Sequence, residues 1–413
     1  MSRNGICLML DRLHAGFLGA YGNAEIETSA LDAFAGESFV ADNCHIDSPQ
    51  LPRIYRSLWC GGHAMFREEH VPPSWLTQAL THNIQTFLLT DDAELAYSPY
   101  REDFTQAELI PELRHSLPCQ NAEQTQLYYG LACLHSTAER LATLGKPYLL
   151  WCHLRGFAGH WDFPLKNRER YSAANDPKPY SKTAVPWREK KTEEAEEDFA
   201  DACQSVRAAY SGGIGMFDEL FEPVFDSLRD GLFGDETLFL LAGARGLSLG
   251  EHKQIGVSPV EKEPLYRELV QTPLIVRFPD GFAQTVRSGA LIQPHDVGNL
   301  LREWFGLPSN EPKRMMLIAE EIPLLRDHIL IDGTNGESAI VTPSWFLRVP
   351  RHDTAPELYV KPDDRWEVND VSNRCDEIAG PLLRLLDARK EQLAQGILEH
   401  PVPISSTLRE RYS

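Results

Sequence analysis

Short apolar runs alternate with longer amphipathic stretches over residues 1–311. Residues 6–10, 84–89, 147–153, 237–241 and 273–278 are each apolar and bounded by polar or turn residues. Runs of this length without alternation predict strands buried on both faces of a sheet. Between them the period lengthens. Residues 124–144 carry Leu127, Leu131, Leu134 and Leu141, and residues 198–228 carry Met216, Leu220, Val224 and Leu228, at helical spacing. Residues 295–305 predict a further helix, closed by Gly306. Strand and helix in alternation predict an α/β sheet with crossover helices.

Two regions depart from that texture. Residues 166–197 hold Pro177, Pro179 and Pro186 among dense charges and few aliphatics, which predicts a long polar surface excursion. After residue 312, strand-like runs at 328–331, 338–341, 345–349 and 357–360 are separated by turn residues such as Asn335-Gly336. That pattern predicts an antiparallel meander, followed by a helix over 376–398. The expected organisation is a large α/β domain, 1–311, and a small C-terminal α+β subdomain, 312–413.

Composition narrows the partners. The 413 residues include 60 acidic and 40 basic side chains, a formal net charge of −20, with 42% hydrophobic and 24% charged. This is the makeup of a globular protein. Its acidity argues against nucleic acid and anionic membrane as partners, because both reward Lys/Arg surfaces. No window of about 18 apolar residues predicts a membrane span. The opening residues lack the apolar stretch of a signal peptide. The eight cysteines are scattered singly with no Cys-x-x-Cys pair, so neither a zinc cluster nor a disulfide framework is expected. Together these predict a cytoplasmic protein with reduced thiols.

Candidate chemistry gathers where strands end. Asp11 follows the first predicted strand, His153 ends the third, and Gly243-Ala244-Arg245-Gly246 follows the fourth. Ligands in open α/β sheets collect at the C-terminal ends of strands, so these residues outline a hydrolytic or metal site. Taken singly, Asp11 also reads as a helix cap and His153 as a structural residue.

Order and spacing then bring a family into view. Residues 8–22, with Asp11 and the Leu18-Gly19-Ala20-Tyr21-Gly22 turn, resemble the opening of sulfatases in the alkaline phosphatase superfamily. Six further stretches resemble that family in its own order. They are residues 28–39, 146–164 with Trp161-Asp162-Phe163-Pro164, 210–220, Leu249-Gly250-Glu251-His252 with Tyr266 and 272–276, Glu357-Leu358-Tyr359, and Asn369-Asp370. The resemblance implies an alkaline-phosphatase-like α/β sandwich, with a central mixed, mostly parallel sheet flanked by helices and a small C-terminal α+β subdomain. It also implies one divalent cation held by carboxylates, and a Cys or Ser nucleophile matured to formylglycine.

The positions that would carry that activity are altered. Asp11 is kept, but the second N-terminal acidic position falls on Gly16, and the later ligand pair falls on Ala244 and Arg245. Hard cations such as Ca²⁺ need about six to eight oxygen ligands, so each loss counts. The nucleophile region, 47–61, fits in two registers, which place Asp47 or Leu51 at the nucleophile. Ser48 is the nearby hydroxyl that can attack unmatured, or else caps the helix beginning near Pro49. The family's cationic motif after the second strand reads Thr90-Asp91-Asp92-Ala93. Lys262 matches a sulfate-contacting Lys, and either His153 or His160 matches the family's histidine.

Three functions follow as expectations. The first is a sulfatase-like pseudoenzyme without metal or nucleophile, binding an anionic small molecule at Arg245, Arg53 or Arg56, Lys262, His153 or His160, with no cofactor. The second is an active sulfuric- or phosphoric-ester hydrolase with a rebuilt site, Asp11, Asp91 and Asp92 holding Ca²⁺ or Mg²⁺ and Asp47 or Ser48 attacking. The third is a protein-interaction subunit whose partner the residues do not name. The first carries a structural expectation of its own, that Arg245 forms a salt bridge with Asp11.

Overall fold

The computed structural model describes residues 3–308, 326–351, 354–398 and 404–409. Its fifteen strands are β1 Asn4–Leu10, β2 Phe39–Cys44, β3 Gln85–Thr90, β4 Gln106–Leu109, β5 Tyr148–Leu154, β6 Trp187–Glu189, β7 Thr237–Gly243, β8 Ser248–Leu249, β9 Gln254–Gly256, β10 Leu274–Arg277, β11 Arg287–Ile292, β12 Ile329–Asp332, β13 Ser338–Val341, β14 Trp345–Val349 and β15 Glu357–Val360. The central sheet has eight strands in the order β11-β2-β10-β7-β1-β5-β3-β4. All five apolar runs read from the sequence are strands of it. The central sheet is mixed and mostly parallel, as the resemblance implies. Strands β1, β5 and β7 are buried along their whole length, as continuous apolar runs require.

Contacts divide the chain into two compact units. One comprises Met1–Val40, Ala79–Ser258 and Pro273–Val286, the other Ala41–Gln78, Pro259–Thr272 and Arg287–Ser413. The domain boundary expected at 311/312 lies outside the described residues.

In the first unit, β1 runs parallel to β5 and to β7, with Leu10 level with Leu154 on one side and Gly243 on the other. Strand β3 runs parallel to β5, with Thr90 level with His153. Strand β10 pairs antiparallel with β7. This register brings the residues after β1, β3, β5 and β7 to one edge of the sheet. The core beneath them joins sheet residues Leu8, Leu150 and Leu241 to helical residues Leu131, Leu134, Phe217 and Phe221. Phe34 meets Phe221, Phe225 and Phe239 edge-on at 5.3, 5.3 and 5.7 Å between ring centroids.

The long helix Glu196–Arg229 opens on Glu196, Glu197 and Asp198, which complement its positive N-terminal end. The polar excursion expected over 166–197 is only partly a surface loop. It opens within the short helix Leu165–Glu169, contains β6, and carries the fully buried Arg168. That guanidinium donates to the carbonyls of Phe163, Trp161, Tyr180 and Lys182, replacing an apolar anchor with backbone hydrogen bonds. Counting charges along the sequence misses such an anchor.

In the second unit, β12 to β15 form the expected antiparallel meander. Asn335 and Gly336 take left-handed φ of 55° and 81° in the β12–β13 connection. The sheet packs Leu330, Ile340, Leu347 and Leu358 against Ile378, Leu382 and Leu386 of the helix Asp376–Ala394. No helix among the described residues is long and apolar enough to cross a membrane.

Gly212 gives a direct packing test. A Cβ there would lie 2.1 Å from the Asn167 carbonyl oxygen, so the two helices meet backbone to backbone. Gly212→Ala is expected to cost about 1–3 kcal/mol by overpacking. Gly36→Ala, where nothing lies within 4 Å, should be neutral or slightly stabilising. Thermal unfolding of the two variants checks this, and equal melting temperatures would contradict the close approach.

Candidate functional site

The strand ends of the first unit hold a charged cluster built around Asp11. Its backbone is fixed on both sides, with Asp11 N–H donating to Leu154 O at 2.9 Å and Ala244 N–H donating to Leu10 O at 3.1 Å. Its carboxylate is nearly inaccessible. Arg245, also buried, grips it with two parallel bonds, Nε to Oδ1 at 3.0 Å and Nη2 to Oδ2 at 2.5 Å. The expected Asp11–Arg245 salt bridge is thus present in fork-to-fork geometry. Burial raises the Asp11 pKa, but Arg245, Arg12 and His153 together outweigh it and hold the carboxyl down at about 2.

Arg12 is the residue that the sequence reading missed. It is buried, its N–H donates to Asp11 Oδ1 at 3.1 Å, and its Nη1 donates to Gly246 O at 3.2 Å. Its φ of 63° is left-handed, which costs a non-glycine residue roughly 1–2 kcal/mol. The Tyr210 hydroxyl helps hold this conformation, donating to Arg12 O at 2.7 Å and accepting from His14 N–H at 2.9 Å. A strand-end carboxylate followed directly by Arg was the available signal. Attention to Gly16 passed over it.

His153 is fully buried at the end of β5. Burial pulls its pKa down, Asp11 and Asp92 push it up, and Arg245 and Arg155 oppose them; the net shift is downward. Asp11, His153 and Arg245 are therefore one electrostatic group. The acidic pair after β3 divides its roles. Asp91 Oδ1 accepts from Arg155 N–H at 2.6 Å and Oδ2 from Gln126 Nε2 at 3.3 Å, while burial raises its pKa to about 6. Asp92 caps the helix Ala93–Ala96, its Oδ1 accepting from Glu94 and Leu95 N–H at 2.8 and 3.2 Å. Both side chains are thus bonded to neighbouring protein donors. His160 is half-buried, beyond the short 3₁₀ turn Gly156–Ala158.

The remaining candidates lie in the second unit. Asp47 is completely buried, and its Oδ2 accepts from Ser57 Oγ at 2.5 Å and from Ala64 N–H at 2.9 Å. Oδ1 has no hydrogen-bond partner among the described residues. Burial raises this carboxyl to about 7, against the lowering pull of those bonds and of Arg56. Ser48 is also fully buried, and it does not cap the following helix. That helix runs Leu51–Cys60 with Gln50 at its N-cap, and Ser48 Oγ instead accepts from Gln50 N–H at 3.4 Å. The helix begins later than expected because Pro49 and Pro52 bracket its start. Arg53 pairs with Asp332 and Arg56 with Glu68, so both cations of this helix have carboxylate partners. Lys262 is exposed at the end of the short turn Val260–Lys262.

The cluster around Asp11 does not fit a divalent cation. Both oxygens of the Asp11 carboxylate accept from a guanidinium, and a second guanidinium lies beside it. A hard cation needs several oxygens free to coordinate it and no positive charge among them.

No protein-family model and no curated protein matches this sequence. Solved structures do match. The chain is similar to BT4656, solved with its substrate D-glucosamine-2-N,6-O-disulfate, at 15% identity over 96% of this chain and 99% of that one, TM-score 0.72. It is similar to the phosphonate monoester hydrolase of Agrobacterium radiobacter at 14% identity, covering 95% and 96%, TM-score 0.72. It is also similar to BT1596, a 2-O glycosaminoglycan sulfatase, at 15% identity, covering 99% and 96%, TM-score 0.66. The chain has the fold shared by these solved structures.

Proposed function

We propose that this chain is a sulfatase-like protein in which Arg245 takes the place of the catalytic cation, and that it binds an anionic small molecule without hydrolysing it. The observation that carries this reading is the two-bond clasp of Arg245 on Asp11. A guanidinium supplies one positive charge but no open coordination position. It can therefore neutralise the carboxylate, but it cannot coordinate a water or hydroxyl and lower its pKa as a divalent cation does. The neighbouring Arg12 makes the cluster more hostile to a cation and more receptive to an anion.

The nucleophile positions support the same reading. An attacking Ser needs a base within hydrogen-bond reach, and Ser48 Oγ instead accepts from the Gln50 backbone N–H. Asp47 is buried with one oxygen tied to Ser57 and Ala64. A carboxyl pushed to about 7 by burial is half neutral at physiological pH, which weakens it as a nucleophile.

Calorimetric titration with Ca²⁺ and then Mg²⁺ tests the proposal. No saturable heat is expected from the wild-type protein, and none from Asp11→Ala. Binding that disappears in Asp11→Ala would overturn the reading and restore the rebuilt hydrolase.

Two variants probe the charges themselves. Asp11→Asn strands a buried Arg245 and should cost about 3–5 kcal/mol of stability. The Asp11 pKa is lowered on folding, so its contribution is full above about pH 4 and fades as pH falls towards 2. The deficit of the variant should therefore be constant above pH 4 and shrink only below it; an unchanged melting temperature would sink the pairing. Asp47 has the opposite sign. Its raised pKa means that the wild-type protein loses stability as pH rises from about 4 to about 7, and Asp47→Asn should flatten that stretch of the melting-temperature profile.

A further inference from the structure

Away from Asp11, on the same first unit, three side chains of different chemistry converge. His115 and Cys119 lie on the turn-rich segment before the helix Gln126–Ala142, and Asp162 lies in the Trp161-Asp162-Phe163-Pro164 stretch beyond β5. His115 Nδ1 is 3.0 Å from Asp162 Oδ2 and 3.3 Å from Cys119 Sγ. One ligand atom from each residue lies within 4.8 Å of the other two. With Zn–S near 2.3 Å and Zn–N and Zn–O near 2.0–2.2 Å, neighbouring ligands of a tetrahedral ion stand roughly 3.2–3.6 Å apart. The His115–Asp162 and His115–Cys119 separations are within a few tenths of an ångström of that, and Cys119 Sγ lies within 4.8 Å of Asp162.

The surroundings hold these ligands in place. Asp162 is almost completely buried, and Gln126 N–H donates to its Oδ2 at 2.8 Å. The Cys119 N–H donates to Asp162 O at 2.7 Å, so the two ligand-bearing segments are joined through their backbones. Bonds of this kind to ligand-bearing residues are what orient a metal site. The His115 side chain is a third exposed and Cys119 is partly exposed, which leaves a side open to water. Sulfur, imidazole and carboxylate together suit a borderline cation and are a poor match for Ca²⁺ or Mg²⁺.

We propose that His115 Nδ1, Cys119 Sγ and Asp162 Oδ2 bind a zinc-class divalent cation, with water in the fourth position. On binding, the thiol proton of Cys119 leaves to solvent and the thiolate coordinates the ion. The site ties the segment around His115 to the strand-end stretch carrying Asp162. It does not depend on the reading of Asp11, and Asp11→Asn should leave it intact.

Titration of the full chain with Co²⁺, followed by Zn²⁺ displacement, tests it. The wild-type protein should develop a thiolate-to-cobalt charge-transfer band that saturates at one ion per chain and is erased by Zn²⁺. Cys119→Ser should lose the band, and His115→Ala should bind Zn²⁺ at least about tenfold more weakly. Cys133→Ser, altering another partly exposed thiol, should behave as wild type. His115 is partly exposed, so His115→Ala remains informative if Cys119→Ser folds poorly. Absence of the band in the wild-type protein, its persistence in Cys119→Ser, or unweakened Zn²⁺ binding by His115→Ala would each overturn the proposal.

Discussion

The strand-end cluster is organised by one constraint: a carboxylate buried at the end of β1 must be neutralised where water cannot reach it. An isolated buried charge of this kind is very unfavourable, and a coordinated metal or a hydrogen-bonded partner charge relieves it. Here the partner is the side chain of Arg245, brought level with Asp11 by the parallel register of β1 and β7. The strained backbone of Arg12, the Tyr210 hydroxyl that bridges Arg12 and His14, and the lowered pKa of His153 are arranged around that pair. The strand ends of the central sheet are thus held together by protein charges.

The central strands were legible because burial on both faces leaves little room for polar residues. Strands β4 and β11 were not, since both alternate exposed with partly buried positions along most of their length and lack a continuous apolar run. Strand β2 was missed because its Asp42-Asn43 pair interrupts an otherwise apolar stretch. In the cluster, the Asp11–Arg245 pair was readable from chemistry, as an Arg placed opposite a strand-end Asp leaves few other outcomes. Asp91 and Asp92 looked equivalent in sequence, and only the turn after β3 distinguishes a buried acceptor from a helix cap.

The cysteine-containing cluster was illegible for a different reason. Metal sites are read from short, repeated spacings such as Cys-x-x-Cys, and here the third ligand comes 47 residues after the first. Only the fold brings Asp162 beside His115. The buried Arg168 makes the same point for stability, because no apolar pattern marks a guanidinium anchored by four backbone carbonyls.

The two-bond clasp also has a consequence for sequence change. Converting the cluster into an oxygen cage would require removing Arg245, relieving Arg12 and adding carboxylates. Any first step alone leaves a buried charge without its partner. At about 3–5 kcal/mol per broken pair, against a total stability of about 5–15 kcal/mol, such an intermediate sits near the edge of folding. The pair therefore acts as a ratchet: single substitutions at Asp11 or Arg245 lead away from the native fold before they could assemble a cage of oxygen ligands.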